Sequence, residues 1–361
     1  GGGDIFVGTR WGTGPLGTLP GGPHTPARLL PKWTWAAEMP APDFSPAVRL
    51  AYVVGTNLIN RSPNTDLNAR VLAGLDHVVV QDPFLTPTAR LADVVLPVCT
   101  DLERSDLVGS WGHDAYLFHS QQALPPAAET RTDYWIFAQL AERLGWGDAY
   151  TQGRTEGEWL EALLAESGLD AEPLHRDGIL RERHAPRVAL AEFRADPEGH
   201  PLRTPSGRVE IRSAQAEACG LPAVPAYVPV EREPRERDYP LALITPHSKQ
   251  RSHSCLHTNP WLRAIEPHAA WLNPADARER GIADGDRIEV SSADGVVRLS
   301  ARVTNRIMPG VVCIYQGAWY RPGEDGVDDG GCANVLTPSR QTPSGGPSTH
   351  TAWVEARRVA P

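Results

Sequence analysis

The chain has 361 residues, 41% of them hydrophobic, and a formal net charge of −9. Its length suits about two domains with packed cores, no run approaches the roughly 18 apolar residues of a membrane helix, and the acidic balance argues against a nucleic-acid footprint. Cys99, Cys219, Cys255, Cys313 and Cys332 are scattered without a Cys-x-x-Cys pair, which argues against an iron–sulfur cluster, a zinc knuckle or a disulfide framework within these residues.

Residues 1–47 are rich in Gly, Pro and Trp and carry almost no periodicity. They are expected to be an irregular segment of a preceding domain that needs a partner surface to become ordered. No targeting signal is readable at Gly1-Gly2-Gly3-Asp4.

Residues 48–147 alternate strand and helix signals, with strands at 48–54, 77–81 and 92–97 and helices at 65–74 and 133–145. The second helix is amphipathic and predicts Ile136, Leu140 and Leu144 inward. Such alternation indicates an α/β domain with a doubly wound parallel sheet. Residues 148–238 read as a helical excursion and linker, with a helix at 156–167 and a turn leading into a strand at 204–212.

Residues 239–361 change character. Short β runs at 241–245, 287–291, 296–303 and 310–315 are separated by Gly and Asp turns, and Asp294-Gly295 between two alternating runs is a hairpin signal. A compact β-barrel is the natural reading.

The two ends of the apolar runs 50–54 and 77–81 carry the first chemistry. One breaks at Gly55-Thr56-Asn57, the other at Asp82 ahead of Thr86 and Thr88. Ligands bind in the crevice at the carboxyl ends of parallel strands. There Asp82 could accept two hydrogen bonds from an amino-pyrimidine edge such as guanine, while Gly55 would let a phosphate approach the backbone. An ordinary loop closed by an Asx-turn is the competing reading. Near Cys255 stand His247, His253, His257 and His268, a spacing that suits neither a helix face nor a zinc finger, so anion binding or loop hydrogen bonding is preferred to a metal site.

Several segments together resemble one family. Gly55-Thr-Asn57, Val79-Val-Gln-Asp82, Thr86-Pro-Thr-Ala89, Ala92-Asp-Val-Val-Leu-Pro97 and Glu103-Arg104 resemble the third domain of the molybdopterin oxidoreductases of the dimethyl sulfoxide reductase family. Asn273-Pro-Ala-Asp-Ala277, the run 280–286, Arg306-Ile-Met-Pro-Gly310 and Gly317-Ala-Trp-Tyr320 look like its C-terminal double-psi β-barrel. Thr245-Pro-His247, Arg251-Ser-His-Ser254, the run 331–337, Leu19-Pro-Gly-Gly22 and Trp33-Thr-Trp35 are similar to the catalytic subunit of the iron–sulfur-containing branch.

The resemblance implies a bis(molybdopterin guanine dinucleotide) molybdenum cofactor held between the α/β domain and the barrel. Gly55, Asn57, Asp82 and Thr86 would hold one guanosine end. His247, Ser248, Arg251, His253 and Ser254 would line the pyrophosphate and dithiolene region, with Asn334, Ser348, Thr349 and His350 against a pterin. Arginine and hydroxyl donors suit pyrophosphate, and amide-like groups suit pterin edges. Trp319 and Tyr320 are candidates for the substrate funnel or for barrel core.

It also implies oxygen-atom transfer from an S-oxide or N-oxide, with electrons returned through iron–sulfur clusters. The 4Fe-4S segment and the molybdenum ligand would lie ahead of Gly1, which makes the chain the C-terminal part of a larger subunit. No residue here is a convincing general acid or nucleophile, and no metal ligand is assigned. A preceding half of the same subunit, an iron–sulfur electron-transfer subunit, a membrane anchor and a periplasmic or membrane-associated location are further implications. Alternatives are a cofactor-binding or delivery module without turnover, a structural protein reusing the barrel, and formate, thiosulfate or polysulfide oxidoreduction.

Overall fold

The computed structural model describes residues 19, 29–109, 116–181 and 188–359. The chain divides into two compact units. One joins residues 27–96 with 227–361, and the other is built on residues 97–226.

The first unit opens with the short helix α1 (Trp35–Glu38), strand β1 (Leu50–Val54), helices α2 (Leu58–Arg61) and α3 (Thr65–Ala73), and strands β2 (His77–Asp82) and β3 (Val94–Pro97). The sheet runs in the order β1-β2-β3, and β1 pairs parallel with β2, Leu50 opposite His77 and Val54 opposite Gln81. Helix α3 forms where Asn64, in the left-handed region at φ 54°, accepts from the Leu67 amide at 3.2 Å. That bond satisfies one of the first-turn donors a helix leaves open. Its inner face carries Thr65, Asn68, Ala69 and Leu72, and the last two pack with Trp35, Val53, Ile59, Val78 and Val80 into one core.

The second unit holds a three-stranded sheet of β4 (Asp106–Gly109), β5 (Tyr116–Ser120) and β6 (Ile179–Arg181), all antiparallel. Its helices are α4 (Asp133–Arg143), α5 (Gly147–Thr151), α6 (Glu156–Ser167), α7 (Glu172–Asp177), α8 (Ala191–Ala195) and α9 (Ala214–Ala218). Helix α6 is bounded by a Thr155–Glu158 capping box and by Gly168 at φ 69°, and it packs Leu164 against Leu117 and Leu174.

Two expectations fail here. Leu144, predicted inward, caps the end of α4 and is 62% exposed, because the helix stops one residue earlier and only Ile136 and Ala141 are buried. The strand expected within 204–212 does not form. Thr204 donates to the Arg208 carbonyl at 2.6 Å to close a tight turn, and Val209 and Ile211 stay exposed with no strand pairing among the described residues. A strand needs a partner ladder as well as an apolar run.

The chain then returns to the first unit as a closed six-stranded barrel. Its strands are β7 (Leu241–Ile244), β8 (Ala269–Leu272), β9 (Arg287–Ser291), β10 (Val296–Val303), β11 (Val311–Ile314) and β12 (Ala352–Arg358), ordered β10-β8-β11-β7-β12-β9. Helices α10 (Pro260–Ile265) and α11 (Pro274–Glu279) sit in its connections. The β9–β10 hairpin turns at Asp294-Gly295 as expected, with Ser292 accepting from the Asp294 amide at 3.0 Å. Inward residues including Leu243, Leu272, Ile288, Val290, Val297 and Ile314 fill the barrel, which leaves every strand without a free edge.

Segment 273–286 is fold-defining. Asn273 accepts from the Ala275 amide and donates to the Ile307 carbonyl at 2.8 Å, while Asp276 accepts from the Gly310 amide at 2.8 Å. Two barrel connections are thereby fixed to one helix start.

Candidate functional site

The loops that follow β1 and β2 meet the barrel within the first unit. Gly55 sits at φ +63° with open space where a side chain would be, the conformation glycine adopts without penalty. Two residues on, the Asn57 amide donates to Ser254 Oγ at 3.2 Å, and its oxygen accepts from Thr88 Oγ1 at 2.9 Å. Thr88 is fully buried and also accepts from the Ile59 amide at 3.0 Å. One asparagine therefore locks the two strand-end loops to each other and to the barrel.

After β2, Asp82 Oδ1 accepts from the Phe84 amide at 2.9 Å and Oδ2 accepts from Thr86 Oγ1 at 3.4 Å. Burial raises the Asp82 carboxyl above its ordinary range, opposed by those two bonds. The Asx-turn weighed from sequence is present, and a carboxylate engaged this way still has acceptor capacity on both oxygens. Thr86 accepts in turn from the Ala89 amide at 3.3 Å, so its hydroxyl organises the following turn.

On the barrel side, residues 247–258 connect β7 to α10 through a series of turns. His247 and His253 meet edge to face at 5.0 Å, and Ser248 donates to Gln250 Oε1 at 3.0 Å. Arg251 Nη2 donates to the Gln316 and Tyr315 carbonyls at 3.1 and 3.4 Å and to His268 Nδ1 at 3.4 Å. Its Nε is buried with no partner among the described residues, and burial lowers its pKa. The Ser254 carbonyl accepts from Trp319 Nε1 at 2.8 Å, and the Trp319 ring lies along His257 at 5.5 Å and 27°.

Ser248, Gln250, Arg251, His257 and Trp319 border a cavity of about 980 Å³. Arg90, Arg251, Arg263, Arg287, Arg298 and Arg321 stand in its wall against Glu266 and Asp329. Arg287 pairs with Asp329, and Arg298 with Glu289 and Asp325. Among the described residues the other four arginines have no carboxylate in ion-pair contact. His257 and His268, also in the wall, are pushed down to about 4 by burial and by Arg251, so both are neutral near pH 7. The wall is electropositive, and a site of this kind selects anions.

Among the residues expected from sequence, Ser248, Arg251, Trp319 and Tyr320 line the cavity. Tyr320 also packs against both the sheet core and the barrel core, and burial raises its phenol. Asn334 spends its amide within the protein, donating to the Asn60 and Arg61 carbonyls at 2.7 and 3.2 Å and accepting from Thr337. In the 348–350 loop the Ser348 carbonyl accepts from Thr351, and His350 Nδ1 stands 3.5 Å from Thr245 Oγ1. Gly55, Asn57, Asp82, Thr86, His247, His253, Ser254, Ser348, Thr349 and His350 lie outside the cavity wall.

Sequence reasoning missed Asn60 as a site residue. Its buried amide donates to the Ala318 carbonyl, and its oxygen accepts from the Tyr320 amide at 3.2 Å, clamping the turn that carries Trp319. Asn60, between Leu58-Ile59 and Arg61-Ser62, stands in no motif that would signal such a role. Arg90, Arg263 and Arg321 were also missed, and His257 and His268 were noticed only as members of a histidine-rich stretch.

A parallel sheet whose loops dock on a closed barrel, over a large arginine-walled cavity, defines a cradle for a large anionic ligand. Residues 241–353 match the molydopterin dinucleotide binding domain, and residues 35–143 match molybdopterin oxidoreductase. The chain belongs to the molybdopterin oxidoreductase family. It is 37% identical over 333 residues to dimethyl sulfoxide reductase DmsA of Escherichia coli, covering 84% of this chain and 41% of that protein. It is 39% identical over 320 residues to the dimethyl sulfoxide/trimethylamine N-oxide reductase of Cereibacter sphaeroides, covering 81% and 39%. Among solved structures, acetylene hydratase from Pelobacter acetylenicus superposes with a TM-score of 0.70 at 25% identity, over 86% of this chain and 44% of that one. The chain thus spans about two fifths of the length of the curated relatives it matches.

The residues present fit a molybdopterin dinucleotide. Two buried nitrogens in the cavity wall, Arg251 Nε and His257 Nδ1, lack partners among the described residues, and a buried polar group left unmet costs about 1–3 kcal/mol unless a ligand meets it. A phosphate oxygen is the acceptor that the Arg251 Nε–H calls for.

Proposed function

We propose that this chain is the cofactor-binding C-terminal part of a molybdenum oxidoreductase that reduces an S-oxide or N-oxide. The observation that carries the reading is the arginine-walled cavity of about 980 Å³ beside the loops after β1 and β2, in a chain similar to reductases of those substrates by name. The cofactor is read as bis(molybdopterin guanine dinucleotide), which when bound supplies oxygen-atom and two-electron chemistry that side chains cannot.

The chain's own residues bind and orient. Arg251, with Arg263 and Arg321, meets the pyrophosphate charge; Ser248 and His247 flank it; Asp82 offers paired acceptors to a guanine edge; and Trp319 and Tyr320 close the apolar side of the cavity. His253, Ser254, Asn334 and the 348–350 loop support these contacts from behind. The domain scheme of 48–147 and 239–361 as the two cofactor-binding parts belongs to this proposal, as do the double-psi description of the barrel, a preceding 4Fe-4S segment in the same subunit, an iron–sulfur partner with a membrane anchor, and a periplasmic or membrane-associated location.

The test is metal and nucleotide analysis of the complete polypeptide that carries this chain, followed by an assay with reduced viologen and dimethyl sulfoxide or trimethylamine N-oxide. The expected result is about one molybdenum and two guanosine monophosphates released per chain on acid treatment, with reductase turnover. Bound cofactor without turnover on either substrate would move the reading to another activity of the family or to a delivery module. No molybdenum and no guanosine would overturn it.

A further inference from the structure

We propose that His257 is a ligand-contacting base of the arginine-walled cavity, and that entry of a pyrophosphate diester against Arg251 Nε and His257 Nδ1 draws one proton from solvent onto the imidazole. The inference rests on reading the cavity as the seat of a dinucleotide. It adds a residue that no part of that reading needs and a proton that none of it predicts.

Geometry supports it first. His257 Nδ1 and Arg251 Nε are both buried, both in the wall of the same cavity, and both without a partner among the described residues. The imidazole cannot readily swing away to find one. Its face lies along Trp319 at 5.5 Å, and Trp319 is itself held by its 2.8 Å bond to the Ser254 carbonyl. A ring fixed in place with one nitrogen bare is a contact awaiting a ligand.

Charge says which ligand. Arg251, Arg263 and Arg321 act on His257, with neutral His268 and the uncharged Trp319 beside it. The carboxylates of the same wall are committed elsewhere, Glu266 to Arg302 at 3.0 Å and Asp329 to Arg287. Burial and the three arginines hold the free imidazole at about 4, so it enters the encounter neutral. An oxyanion placed between Arg251 and His257 cancels the repulsion and rewards the imidazolium, because an opposite charge within hydrogen-bonding reach favours the charged form. The ring then takes up a proton, and the imidazolium donates to the oxyanion through Nδ1.

The experiment uses the complete polypeptide freed of its cofactor and diguanosine 5′-pyrophosphate as probe, whose phosphates, each bearing one ester and one anhydride bond, do not titrate between pH 5 and 8. Calorimetric titration at pH 5.5 in two buffers of different ionisation enthalpy counts the protons taken up. Close to one, about 0.9, is expected if the imidazole moves from about 4 to its ordinary value or higher. Affinity should rise about tenfold from pH 7.5 to 5.5, as proton linkage requires.

His257→Gln keeps a neutral hydrogen-bonding side chain that cannot titrate. It should bind the probe with an affinity that no longer changes with pH and with no proton uptake. Binding by the unaltered protein without uptake, or equal uptake by His257→Gln, overturns the role of His257 while leaving the dinucleotide reading intact. No binding of the probe at all overturns both.

Discussion

The His253 carbonyl oxygen occupies the space a Cβ would take on Gly317, closer than any side-chain carbon could approach. Gly317 also sits at φ +88°, a left-handed conformation that other residues adopt only under strain. This contact seats the 247–258 connection on the turn that carries Trp319. Gly317→Ala is expected to cost about 2–4 kcal/mol, from backbone strain plus displacement of a main-chain carbonyl that cannot rotate away. Denaturant unfolding measures it, and a loss below about 0.5 kcal/mol would mean that the close approach relaxes freely.

Asn60 makes a second prediction about the same turn. Its side chain satisfies the buried Ala318 carbonyl and the half-buried Tyr320 amide. Asn60→Ala leaves two main-chain groups unmet, for an expected loss of about 2–4 kcal/mol. Asn60→Asp should lose as much, since a carboxylate cannot donate to the Ala318 carbonyl. Equal stability of Asn60→Asp and the unaltered protein in thermal unfolding at neutral pH would show that the carbonyl bond contributes nothing.

What could be read from the sequence follows the physics of each segment. Strands β1, β2, β9 and β10 were legible because apolar runs end in Gly, Asp or Asn, and Asp294-Gly295 marks its hairpin. Strand β8, Ala-Ala-Trp-Leu, was missed because all four residues are buried and no alternation remains. Strands β4 to β6 are three to five residues long and find their partners across up to about sixty residues of chain, beyond what a local pattern carries. The site divides in the same way. Asp82 and Arg251 stand in recognisable motifs, whereas Asn60, His268 and Arg321 acquire their places only through the barrel's closure, and Asn334 turned inward to bond the Asn60 carbonyl.

His268 gives a pH prediction. Its Nε2 stands 2.9 Å from the Gly331 carbonyl, which can only accept, so Nε2 carries the proton and Nδ1 faces Arg251 as an acceptor. Burial first, then Arg251, pushes the ring down to about 4 from its ordinary 6.5. The unfolded chain therefore takes up a proton between these values that the folded chain refuses. The stability this neutral ring contributes is fully present above pH 6.5 and is lost as pH falls towards 4, an effect on the order of 3 kcal/mol for a buried ring. His268→Gln should flatten the fall in unfolding free energy across that window, whatever it costs at pH 7. An unchanged acid slope would show that His268 is not the group that titrates.

Asp82 separates a turn residue from a base-reading one. Its carboxylate holds the Phe84 amide and the Thr86 hydroxyl, and asparagine can keep the first of these bonds through its single amide oxygen. A guanine edge, by contrast, presents two adjacent donors and needs two acceptor oxygens. Asp82→Asn and Asp82→Ala should then lose similar affinity for a guanosine diester, a charge-assisted contact worth about 1.5–3 kcal/mol, or about 10- to 150-fold. Guanosine content of the isolated protein and calorimetric affinity for diguanosine 5′-pyrophosphate are the measurements. If Asp82→Asn retains full occupancy and affinity while Asp82→Ala loses stability, the residue only closes the turn after β2 and the guanine edge is read elsewhere.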